Sequence, residues 1–161
     1  MATPIPSSGT RQKQSLFGAI LTTGLLVGTL DIVTAMIVYN VGPAQIFPFI
    51  TSGAFGNEAF SGSFIMIFWG IVFHYFIAFA WTVVFFLMVP KVAILRKRAV
   101  LNGLLYGIVI WLVMNMIILP LSRLSQAPLN FKAAVIGAAI LMVMVGLPIA
   151  MLAQRYYRGK R

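Results

Sequence analysis

The chain of 161 residues contains no cysteine, only two acids and a single histidine. Without cysteine there is no disulfide framework, no thiolate metal site and no dithiol redox chemistry. One histidine excludes bis-histidine haem ligation within one chain, and no nucleophile, base and acid stand at a recognisable spacing. One carboxylate, one imidazole and one amide, from Asp31, His74 and Asn115, could hold a cation but make a poor dedicated site for transition metals. Charge of both signs is scarce: 9% of residues are charged and 61% hydrophobic, against about 25% charged in a soluble domain. A soluble globule is excluded.

What is present is apolar sequence in long runs. Hydrocarbon about 30 Å thick requires about 20 apolar residues per helical span. Four stretches meet this: 16–38, 64–89, 99–121 and 132–153. The expected fold is therefore all-α, a polytopic membrane protein with four transmembrane helices in a bundle filling 15–154. Arg11 and Lys13 ahead of the first stretch resemble a signal-peptide n-region. That stretch is too long and lacks a small-x-small cleavage site, so an uncleaved first helix is expected. Residues 1–14, polar and with two prolines, read as a disordered tail, and 155–161 as a short basic tail.

The basic residues orient the spans. Arg11 and Lys13 precede the first, Lys91, Arg96, Lys97 and Arg98 lie between the second and third, and Arg155, Arg158, Lys160 and Arg161 follow the fourth. Of the twelve Lys and Arg, only Arg123 and Lys132 fall on the other side, with Glu58. Positive residues collect on the cytoplasmic side, so both termini are expected there. The net charge of +10 thus reports topology and contact with anionic lipid headgroups. No aromatic-interleaved basic stripe points to nucleic acid. Tyr39, Tyr156 and Tyr157 suit the two membrane interfaces.

The external connection, 40–63, holds Gly42, Pro43, Pro48, Gly53, Gly56 and Gly62, but runs mostly apolar from Gln45 to Phe55. It is expected to lie in the interface or cap the bundle as a short helix broken near Gly53.

Within the spans, polar residues are few enough to name. Asp31 is the only acid in them, and a charged side chain at membrane depth costs about 2.5–3.5 kcal/mol on insertion scales. Counted from the expected external ends at about 1.5 Å per residue, Asp31, His74 and Asn115 share a layer roughly 9–15 Å deep. Each lies on a stripe of small residues: Gly24, Gly28 and Asp31; Gly70 and His74; Gly103, Gly107 and Asn115. Small-xxx-small faces are where membrane helices approach each other. Gly137 marks the same kind of face on the fourth span, and Gly146 with Pro148 predicts a kink there. Asp31 and His74 are candidates to share a proton, with Asn115 orienting either. The alternative for all three is interhelical glue, averaging about 0.6 kcal/mol per hydrogen bond. The nine Met, scattered among apolar residues, read as core filling.

The segments Gly28-Thr-Leu-Asp31, Phe73-His-Tyr75, Pro90-Lys91, Gly103-Leu-Leu-Tyr-Gly107, Trp111-Leu-Val-Met-Asn115 and Leu119-Pro-Leu121 resemble the YagU-like family of small four-helix bacterial inner-membrane proteins of undefined activity. The resemblance implies a bacterial inner membrane, four spans with cytoplasmic termini and a link to pH stress; it supplies no catalytic residues. The expected function is non-enzymatic and without cofactor: a proton-linked transporter or pH-dependent channel, acting as a homo-oligomer. The alternative is a membrane scaffold or accessory subunit of a larger complex.

Overall fold

The computed structural model describes residues 15–123 and 130–159; the expected N-terminal tail and the end of the basic tail lie outside them. Helix α1 (Leu16–Tyr39) starts where the Ser15 hydroxyl accepts from the Gly18 N–H at 3.0 Å. It stops at Asn40, whose φ of 52° is left-handed, a conformation Asn tolerates at helix ends. Helix α2 (Pro43–Phe55) carries proline at its first position, where the missing N–H costs nothing. Helices α3 (Phe64–Met88), α4 (Ala99–Leu121) and α5 (Phe131–Arg158) complete the set. The chain is all-helical among the described residues. Four helices, α1, α3, α4 and α5, are long and apolar enough to cross a membrane.

The ends of α1 and α3 differ from expectation by one residue each, and three other boundaries differ for local reasons. Helix α5 begins at Phe131 because the Asn130 side chain accepts from the Lys132 N–H at 3.0 Å. It runs on to Arg158, since the Arg, Gln and Tyr residues after Ala153 are compatible with a helix once past the apolar stretch. Helix α2 ends at Gly56, with φ +64°, not at Gly53.

Glycine governs how closely the helices pack. A Cβ at Gly107 would lie 2.3 Å from the Met142 Cα, and one at Gly146 2.2 Å from the Gly103 carbonyl. The α4 and α5 backbones are thus in direct contact, running antiparallel. On α1 the approach is to side chains: a Cβ at Gly24 would meet the Phe79 ring, and one at Gly28 the Tyr75 ring. Gly70 of α3 receives α2, with the Phe47 carbonyl 2.3 Å from its Cβ position. The Thr51 hydroxyl donates to the Met66 carbonyl at 2.7 Å beside it. Helix α2 also reaches the end of α4, where the Arg123 N–H donates to the Gly53 carbonyl at 2.8 Å.

Both α4 and α5 contain a widened π-helical segment, Met114–Ile118 and Leu141–Gly146. Each ends two residues before a proline, Pro120 or Pro148. Proline offers no N–H and its ring crowds the carbonyl four residues back, so a wider turn re-pairs the backbone around it.

The buried core is uneven. Val27, Phe85, Phe86, Tyr106, Ile110, Ile149 and Ala153 pack together toward the end that carries the chain termini. In the opposite direction, no residue of the four long helices is buried past Ile32 on α1, before Gly70 on α3, past Ile110 on α4 or before Ile140 on α5. Outward faces are strongly apolar: Phe64, Phe76 and Phe131 are 80%, 70% and 83% exposed, as suits a lipid solvent.

Candidate functional site

His74 is buried where α3 crosses α1, and its Nε2 lies 2.8 Å from the Gly28 carbonyl. A carbonyl oxygen only accepts, so Nε2 carries the proton and donates. Nδ1 is then the acceptor atom of the ring. The absent side chain of Gly28 makes room for the neighbouring Tyr75 ring, 2.9 Å from its Cβ position. One residue on, the Thr29 and Tyr75 hydroxyls meet at 2.9 Å, so two consecutive residues of each helix join at this crossing.

Asp31 follows Val27 by four residues and Gly28 by three, which sets it on the inward face of α1. It is partly buried at the level where the core gives way to the looser half. The His74 imidazole lies within Coulombic range of its carboxyl. Among the described residues no hydrogen bond or ion pair engages that carboxyl.

Asn115 makes no hydrogen bond to either member of this pair among the described residues. It sits in the widened turn of α4 and its amide donates to the Trp111 carbonyl of its own helix at 2.8 Å. The structure therefore brings Asp31 and His74 together and leaves Asn115 satisfied locally. Near it, α1, α4 and α5 meet at Gly137, whose Cβ position is 3.5 Å from Trp111 Nε1 and 3.6 Å from the Tyr39 hydroxyl. That is ordinary contact, looser than at the other glycines.

Compared with known proteins, the chain matches no protein-family model, no curated protein and no solved structure. No group of three or more His, Cys, Asp or Glu able to hold a metal occurs among the described residues.

The sequence did not single out Asn102, Tyr106 and Gln154 at the terminal end, nor the carbonyls that Arg96 and Tyr157 bond to. Asn102 Nδ2 donates to the Ile94 carbonyl at 2.9 Å, Gln154 Nε2 to Leu95 at 2.6 Å, and Arg96 Nε to Val89 at 3.1 Å. The Tyr106 and Tyr157 hydroxyls donate to Trp81 at 2.7 Å and Phe86 at 2.9 Å. These side chains satisfy carbonyls of the α3–α4 connection and of α3 itself, where no helix partner exists or a second bond is accepted. The available signal was Asn102 and Gln154 standing alone among apolar neighbours at helix ends. A groove of about 770 Å³ opens beside them, lined by residues from Arg98 to Leu104 and from Met151 to Arg158.

Proposed function

We propose that this protein is a multi-pass bacterial inner-membrane protein, a four-helix bundle with cytoplasmic termini, whose Asp31 and His74 form a proton-binding site for a proton-linked transporter or pH-dependent channel. The observation that carries the reading is the unpaired carboxyl of Asp31. A polar group retained only to glue helices is expected to hold a hydrogen bond across the contact, and Asp31 holds none among the described residues. Its position at the border of the closed core leaves one side packed and the other loosely covered. Such an asymmetric setting suits a group that loads from one side of the membrane. Four helices of this size enclose no wide pathway alone, so the working unit is a homo-oligomer.

The test is flux. In proteoliposomes with an imposed pH gradient, the wild type should move protons or a co-solute, and Asp31→Asn should abolish that movement while leaving the melting temperature of the detergent-solubilised protein close to unchanged. Absence of pH-driven flux in the wild type would refute the proposal.

A scaffold or accessory-subunit role is the second reading. It is favoured by His74 and Asn115, both of which bond to backbone carbonyls as packing residues do. Under it, Asp31→Asn would shift only stability or association with a partner.

A further inference from the structure

The groove at the terminal end has features that neither the proton site nor packing explains. Arg98 stands immediately before the first turn of α4, and Arg155 and Arg158 lie in the last turn of α5; all three line one opening of about 770 Å³. Below them the wall is apolar, with Leu101, Leu104 and Met151 from the two helices. Three guanidinium groups around one groove repel one another unless an anion joins them. Among the described residues no acidic side chain lines the groove, since Asp31 and Glu58 are elsewhere. Arg98 makes no side-chain cap, so the first N–H groups of α4 add their partial positive charge to the same rim.

We propose that this groove is a binding site for one anionic phospholipid, its phosphodiester held by Arg98, Arg155 and Arg158 and an acyl chain lying along Leu101, Leu104 and Met151. Charge complementarity names the headgroup, because guanidinium forks bind phosphate oxygens in bidentate fashion. The apolar floor names the remainder. Leu101 and Met151 are 46% and 51% exposed directly beneath the arginines, so the phosphate-binding rim continues into apolar surface that an acyl chain on the same phosphate can follow. Basic pockets between membrane helices on the cytoplasmic side are where such headgroups bind. The site rests on the membrane-spanning reading above but not on Asp31.

The experiment is native mass spectrometry of the full chain released from micelles containing equal amounts of phosphatidylglycerol and phosphatidylcholine with identical acyl chains. The wild type should retain one phosphatidylglycerol with a preference on the order of tenfold or more. The triple variant R98Q/R155Q/R158Q should lose that preference. A control with the same loss of charge, K91Q/K97Q/K160Q, should keep it. Equal retention of both lipids by the wild type, or equal loss in the two triple variants, would overturn the site while leaving the membrane reading intact. Loss of phosphatidylglycerol on addition of millimolar inorganic phosphate would overturn it in favour of a free-phosphate site. A protein that stays dispersed without detergent and retains neither lipid would overturn both.

Discussion

The His74 imidazole donates to the Gly28 carbonyl across the α1–α3 crossing, 2.8 Å from nitrogen to oxygen, so a side chain of one helix is tied to the backbone of the other. His74→Phe should lower stability through loss of this bond, by about 0.6–2 kcal/mol. His74→Gln, whose amide can still donate, should lose less. Thermal melting in detergent ranks the three proteins, and equal melting temperatures would mean the bond contributes nothing.

Glycine substitutions should separate by what the new methyl group meets. Gly107→Ala drives a Cβ into the Met142 backbone, which cannot step aside, so a loss of about 1–3 kcal/mol or more is expected. Gly24→Ala meets the Phe79 ring, which can rotate, and should cost less. Gly137→Ala makes only ordinary contacts at 3.5 Å and beyond, so its effect should stay within about 0.5 kcal/mol. The same melting assay tests the order.

At the terminal end, Gln154→Leu would leave the Leu95 carbonyl without its side-chain donor, at a cost of about 1–3 kcal/mol. The connection from Lys91 to Arg98 should then open more often. Trypsin is a direct reporter, because Lys97 and Arg98 lie in that segment. Cleavage there should be faster in the variant than in the wild type, and unchanged kinetics would count against the proposed role of Gln154.

Pro148→Ala should let α5 regain ordinary α-helical pairing across Leu141–Gly146. Removing one residue's worth of widening turns everything beyond it by about 100° relative to the part before. Gly103 and Gly107 are fitted against the present register of α5, so Pro148→Ala should melt at a lower temperature than the parent in detergent, and an unchanged or higher melting temperature would mean that the widened segment does not depend on Pro148.

Orientation can be read with the natural cysteine-free background. A cysteine at Asn57, beside Glu58, should react with an impermeant thiol reagent in intact cells, and one at Lys97 only after lysis, if the terminal end faces the cytoplasm. The opposite labelling pattern would reverse the topology.

Hydrophobic length and glycine spacing made the four long helices legible in the sequence, because a span demands unbroken apolar residues and a close crossing demands small ones. The helical character of 43–55 was legible for the same reason. Its end at Gly56 was not, because Gly53 and Gly56 are equally able to adopt a positive φ and only tertiary contact with Arg123 distinguishes them. A shared layer for Asp31, His74 and Asn115 follows from counting residues. That Asn115 turns back onto Trp111 does not, since the widened turn it occupies changes the local facing of α4. Pro148 signalled an irregularity in α5, but whether a proline kinks a helix or widens it depends on the neighbouring backbone, here Gly103 and Gly107 pressed against that segment.

The one-sided placement of buried residues divides the molecule into regions of different cooperativity. Amides around Ile110, Ile149 and Phe85 can exchange with deuterium only when the shared core comes apart, whereas those from Trp111 to Leu121 and from Phe131 to Ala139 need only local fraying. The far ends of α4 and α5 can therefore breathe on their own while α2 stays packed on Gly70 of α3 and the half carrying the termini holds its register, with Asp31 at the boundary between the slow and the fast regime.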